Sequence, residues 1–171
     1  EKDFVNSAWY TDYALGKYIE SARKQPWFGN TLFILVADHS HVSHHQHSLQ
    51  TFEYHRIPML WFGPVIKPEY RGMRIDNIAS QTDLPATLLK QLGLNTSLYP
   101  WSKNLFNPYS PQFAYFESND GLGWKTSSGY FVYNKLQDRF LDKKIKPEDE
   151  EKTVKEGKSY LQEVFREFLE Y

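Results

Sequence analysis

The sequence predicts an α/β fold: the distal half of a mainly parallel sheet with flanking helices, then a small antiparallel aromatic-rich element and a C-terminal helix. Three observations carry that expectation. A helical repeat leads directly into a continuous apolar run, which is half of an α/β unit. A second apolar run follows within the same region. Beyond Gln112 the pattern changes to short aromatic segments separated by turn residues.

From Asp3 to Lys24, the residues Val5, Ala8, Asp12, Leu15, Ile19 and Ala22 recur at steps of three and four, giving a helix with one apolar face interrupted by Asp12. Pro26 ends it. Thr31 to Ala37 is apolar without alternation, as expected of a strand covered on both faces. Ile57 to Phe62 reads as a second buried strand; Pro58 places it at an edge or lies near its first residue, and Gly63-Pro64 stops it. Ser80 to Asp83 caps a helix from Leu84 to Leu92, and Gly93 closes it. Leu94 to Pro111 is a loop rich in Pro and Asn. Phe113–Glu117 and Tyr130–Tyr133 are aromatic strands on either side of a turn at Asp120 to Gly123. Pro147 and the acids Glu148 to Glu151 open a last helix, with Val154, Leu161, Phe165 and Phe168 as its buried face. The expected organisation is an α/β portion over 1–93, loop and antiparallel strands over 94–147, and a helix over 148–171. The start at Glu1, with neither Met nor signal peptide, reads as a piece of something longer.

Composition removes several function classes. With 29 aromatic residues (12 Phe, 12 Tyr, 5 Trp) and 40% hydrophobic residues, the chain is neither disordered nor a coiled coil. Its 20 basic and 21 acidic residues give no global charge to recruit nucleic acid. No apolar run is long enough to span a membrane. Absence of Cys excludes disulfides and thiolate metal sites.

All six histidines fall between His39 and His55. Asp38-His39 closes the first strand at its carboxyl end, where ligands gather in open α/β sheets, and the pair suits a borderline divalent ion. The structural alternative is an Asp that caps the next segment beside a solvated His. His44 could reach back toward this site and contact an anionic substrate. His55 is placed by the second strand, while His47 is the one most readily discarded. Asp12, if buried, needs a partner.

With these features placed, a resemblance emerges. Tyr13-x-x-Gly16-Lys17-Tyr18-Ile19, Trp27 to Leu32, Val36-Ala37-Asp38-His39-Ser40, His55 to Pro64 and Ser80 to Leu89 resemble the carboxyl-terminal half of the alkaline phosphatase/sulfatase superfamily. Together with Phe113 to Phe116 and Asn119 to Trp124 they look like its lipoteichoic acid synthase-like branch, also labelled sulfatase or phosphoglycerol transferase. The match covers about residues 5–135. The resemblance implies an enzyme moving a phosphoglycerol group from a lipid donor, with a divalent metal (Mn²⁺ first, Zn²⁺ or Ca²⁺ as alternatives) held by Asp38 and His39. A nearby imidazole can bind the non-bridging phosphate oxygens, and by their positions in this sequence His44 and His55 are the candidates for that substrate contact. The Thr nucleophile and an acidic ligand would lie upstream, so no catalytic nucleophile is expected in this chain, which alone should be inactive. It further implies the N-terminal half as partner, a lipid-linked phosphate or sulfate ester as substrate, and anchoring at the extracytoplasmic face of a bacterial membrane or in the periplasm. An incomplete sheet should leave apolar surface through which the chain could dimerise. Sulfatases proper usually carry Asp-Asn at this place, so His39 points to phosphoryl transfer. Two other readings stay open: a sulfatase or phosphodiesterase of the same fold, and a non-catalytic His-rich metal-binding or interaction module.

Overall fold

A computed structural model describes residues 2–41, 47–118 and 120–170. They form a mixed α/β chain of two compact units, one of residues 1–48 and 56–75, the other of 49–55 and 76–171.

The first unit holds α1 (Lys2–Ala22) and the strands β1 (Phe33–Val36) and β2 (Met59–Phe62). The strands pair antiparallel, Phe33 opposite Phe62, with the two rings stacked at 4.9 Å. The parallel pairing expected for this region is therefore not what these strands adopt. A parallel neighbour needs a crossover helix, and the chain between β1 and β2 offers, among its described residues, only the single turn α2 (Phe52–His55). Neither strand is covered on both faces: Val36 and Leu60 are exposed. The helix meets β1 through Tyr18, edge-on to Phe33 at 6.5 Å. Only Ala22 of α1 is buried; Phe4, Val5, Trp9 and Tyr13 face outward. Asp12 is also exposed, so it needs no buried partner.

The second unit is built on an antiparallel sheet ordered β3 (Phe113–Ser118), β4 (Gly121–Thr126), β5 (Gly129–Asn134) and β6 (Arg139–Ile145). Gly121 to Gly123 is strand, not the expected turn. The reason is steric: a Cβ on Gly123 would fall inside the ring of Phe116, which lies across β4 at this point. Ser80 guards the β3 edge, its Oγ bonded to both N (3.2 Å) and O (3.3 Å) of Tyr115.

One sheet face carries Tyr115, Leu122, Trp124, Phe131 and Tyr133 and is covered by α4 (Glu150–Glu170). Leu122 and Phe131 are fully buried and Trp124 is 4% exposed. Val154 and Leu161 pack there as expected, together with Tyr160, whereas Phe165 and Phe168 are exposed. The helix turns its Gly157 to the sheet, against the rings of Phe131 and Trp124. The other face receives α2, where Phe52 stacks on Tyr130 at 4.5 Å and His55 on Phe116 at 3.8 Å. The Phe52 N–H donates to Asp142 Oδ2 at 3.2 Å.

The helix α3 (Leu84–Gln91) starts where the sequence places it. Asp83, 1% exposed, accepts hydrogen bonds from Ser80 N (2.8 Å) and Lys103 N (3.1 Å) and is ion-paired with the Lys103 ammonium. Thr87, fully buried, donates to the Asp83 carbonyl at 2.7 Å and accepts from Leu105 N at 3.0 Å, tying the 94–111 loop to the helix.

Burial pushes the Tyr115 phenol up to about 12, helped by the charge of Glu117 and by Tyr160; burial raises Tyr160 and Tyr130 as well. A phenol whose folded value is raised binds its proton more tightly in the native state. Its contribution is therefore whole below the unfolded value near 10 and is lost as pH climbs through about 12. Denaturant midpoints should be flat up to about pH 9.5 and fall between about 10 and 12. A midpoint that stays level across that window would contradict this burial.

Candidate active site

Asp38 and His39 lie in the first unit, just past the end of β1, where the backbone leaves the strand. That bend removes the objection that neighbouring strand residues point to opposite faces. Asp38 Oδ2 and His39 Nε2 stand 3.5 Å apart. Two bonds of about 2.0–2.2 Å to one ion, at a tetrahedral angle, span about the same distance.

The rest of the local bonding suits this arrangement. Asp38 Oδ1 accepts the His39 backbone N–H at 2.8 Å, and His39 Nδ1 lies 2.6 Å from the Ser40 carbonyl. A carbonyl can only accept, so Nδ1 carries the hydrogen, and in the neutral ring Nε2 is then the lone-pair nitrogen, on the side of Asp38. A backbone carbonyl on the second ring nitrogen is the usual orienting contact of a metal-bound histidine. It leaves no mark in the sequence, because any residue at position 40 supplies a carbonyl. The His39 backbone N–H, and then the positive charge of the imidazole when it is protonated, hold the Asp38 carboxyl below its ordinary value. Both side chains are largely exposed, His39 at 58% and Asp38 at 86%.

The donor set thus fits a divalent cation but is not complete by itself. Among the described residues no group of three or more His, Asp or Glu is placed to hold a metal. His44 and His45 lie outside the described residues. His41 stacks on Phe4 of α1 at 4.3 Å, which ties the start of the His-rich segment to the helix.

His55 belongs to the second unit. Its Nε2 lies 3.0 Å from the Leu49 carbonyl and its ring is stacked on Phe116 and edge-on to Tyr54 at 5.4 Å. The ring is half-buried and oriented by these three contacts. Sequence position alone, next to a strand, does not reveal the Phe116 stack.

Comparison with known proteins bears on the same region. A crystal structure described as a protein in the alkaline phosphatase superfamily, from Vibrio parahaemolyticus, superposes with a TM-score of 0.62 at 24% identity over 84% of this chain. The match spans 37% of that protein, so the present chain corresponds to a little over a third of its length. The Sulfatase family model matches residues 2–94, which include α1, β1, Asp38-His39, β2 and α3. With more than half of its 171 residues matched, this chain belongs to the Sulfatase family.

Proposed function

We propose that this chain supplies the carboxylate–imidazole half of a metal site in an enzyme acting on phosphate esters, and that the reaction is phosphoglycerol transfer from a lipid donor. The observation that carries this reading is the 3.5 Å separation of Asp38 Oδ2 and His39 Nε2, with the His39 tautomer set by the Ser40 carbonyl. Membership of the Sulfatase family supports the broader class, hydrolysis or transfer of sulfate or phosphate esters. The finer choice of phosphate rests on His at position 39.

Asp38 and His39 would hold the ion, Mn²⁺ first, with Zn²⁺ or Ca²⁺ as alternatives. When bound, such an ion neutralises phosphate charge and lowers the pKa of a coordinated nucleophile. Asp38 enters this role ionised, because its neighbours hold its carboxyl low. His39 enters it with Nε2 presented and Nδ1 engaged. His55, oriented through Leu49 and Phe116, is assigned to the substrate, as is His44. The nucleophilic Thr and a further acidic ligand are assigned to a preceding half of the same domain, of which residues 1–171 are the C-terminal part. That half is also the proposed cover for the outward face of α1, with a second copy of the chain as the alternative occupant. No helix among the described residues is long and apolar enough to cross a membrane, so the proposed anchoring at the extracytoplasmic face is assigned to that preceding half.

The test is a side-by-side assay of the complete protein with Mn²⁺ on a phosphodiester, bis(p-nitrophenyl) phosphate, and an aryl sulfate, p-nitrophenyl sulfate. The expected result is at least about 100-fold higher kcat/KM on the phosphodiester, of the order of 3 kcal/mol in transition-state binding. The opposite preference would assign the site to sulfate esters.

A further inference from the structure

The four-residue turn α2 cannot hold its shape alone, since isolated helices shorter than about 12–15 residues are marginal in water. Its conformation, and with it the direction of the His55 ring, must come from the sheet on which it lies. The Nε2 contact to the Leu49 carbonyl, 3.0 Å, ties the ring only to its own segment. What fixes that segment is a pair of anchors on the sheet.

The first anchor is at the start of α2. Phe52 N–H donates to Asp142 Oδ2 of β6 at 3.2 Å, and the Phe52 ring stacks on Tyr130 of β5 at 4.5 Å. Burial first, then the charges of Asp142 and Glu53, raise the Tyr130 phenol, so both carboxylates bear on this contact. The Lys125 ammonium of β4 lies 6.0 Å from the Phe52 ring.

The second anchor is at the end of α2. His55 lies on Phe116 of β3 with ring centres 3.8 Å apart and 16° between the planes. The Phe116 ring in turn lies across Gly123 of β4, where a Cβ would fall inside it. The register puts both anchors in one row: Phe116 is opposite Gly123, Gly123 opposite Val132, and Val132 opposite Asp142. The turn α2 therefore crosses the sheet, with Phe52 held at β5 and β6 and His55 held at β3. Tyr54, between the two anchors, is 8% exposed.

We propose that Phe116 and Asp142 are positioning residues for the substrate contact assigned to His55: Phe116 fixes the plane of the imidazole, and Asp142 fixes the turn that carries it. The inference rests on that assignment. Both residues act through His55. An imidazole already held in one orientation loses less freedom when a phosphate oxygen binds to it, so loss of either anchor weakens substrate binding and leaves the chemical step alone.

The test is steady-state kinetics of the complete protein with Mn²⁺ on bis(p-nitrophenyl) phosphate. The variants are His55→Ala, Phe116→Leu, Asp142→Ala and Asp142→Asn, with Phe116→Leu and Asp142→Ala also made in the His55→Ala background. His55→Ala should raise KM by about tenfold or more. Phe116→Leu, which keeps an apolar side chain over Gly123, and Asp142→Ala should each raise KM by about three- to tenfold with kcat within about twofold. Asp142→Asn, whose amide oxygen can still accept the Phe52 N–H, should stay within about twofold of wild type. In the His55→Ala background neither anchor variant should raise KM further. An equal rise with and without His55 would mark a purely structural role and overturn the proposal. Phe116→Leu and Asp142→Ala with KM within about twofold of wild type, beside an impaired His55→Ala, would overturn it and leave the role of His55 standing. A wild-type KM for His55→Ala would overturn the substrate role of His55 itself, and the proposal with it. If Phe116→Leu does not fold, the Asp142 variants decide in the same way.

Discussion

Replacing Asp83 by Ala is expected to cost about 3–5 kcal/mol of stability, enough to unfold a marginal domain at physiological temperature. Asp83 is 1% exposed, and the side chain of its Lys103 partner only 11%. Removing the carboxylate leaves an ammonium with little access to water, its remaining neighbour being the face of Phe113 at 4.8 Å. Two backbone donors, Ser80 N and Lys103 N, lose their acceptor in the same step. Those donors fix the start of α3 and the 94–111 loop, so the damage spreads beyond one ion pair. The double variant Asp83→Asn/Lys103→Met should recover part of the loss, because no charge is then left buried. Denaturant melts of the two variants measure this, and a cost below about 1 kcal/mol for Asp83→Ala would show that the pair is not buried as described.

The second large effect is expected at the contact between α4 and the sheet. Phe131→Ala should cost about 3–5 kcal/mol, since Phe131 is fully buried and its neighbours Trp124 and Tyr133 are held by the same sheet. Gly157→Ala should cost about 1–3 kcal/mol, although alanine favours a helix over glycine by about 1 kcal/mol. Its Cβ would meet Phe131 Cζ at 2.7 Å and Trp124 Cγ at 2.8 Å, and neither ring has room to withdraw. The two changes should be non-additive. Removing the Phe131 ring opens space on one side of the new Cβ, so the double variant should be less damaged than the sum of the singles. Simple additivity, or a stabilising Gly157→Ala, would mean that α4 does not sit on the sheet at this point.

These same residues show what could and could not be read beforehand. Helices α1, α3 and α4, strands β1 and β2 and the site pair at the end of β1 follow from local pattern, because apolar periodicity and caps act over a few residues. Strand direction does not: a continuous apolar run reports expected burial, and β1 and β2 turn out antiparallel and only partly covered. Strand β4 is hidden because Gly121 and Gly123 imitate a turn; the space at Gly123 is filled by the Phe116 ring of β3, and that at Gly121 by the Tyr133 and Asn134 backbone of β5. Strand β6, with Arg139, Lys143 and Lys144, carries the charges typical of an edge and none of the apolar alternation used to find strands. On α4 the composition favours Phe165 and Phe168 as core, yet the helix turns Gly157 and Tyr160 inward, since only Gly157 allows the close approach to Trp124. At the site, residue types identify Asp38 and His39. The feature that orients His39 is a backbone carbonyl, and the one that orients His55 is a ring 61 positions away, Phe116. Contacts of that kind exist only in the folded chain.

Phosphodiester turnover by the complete protein, wild type against Asp38→Ala at saturating Mn²⁺, tests the role of the carboxylate–imidazole pair most directly. Loss of the carboxylate should lower kcat/KM by about 1,000-fold or more, a change of the order of 4 kcal/mol, with the thermal midpoint measured without added metal unchanged because Asp38 is exposed. Turnover by Asp38→Ala within about threefold of wild type would contradict it.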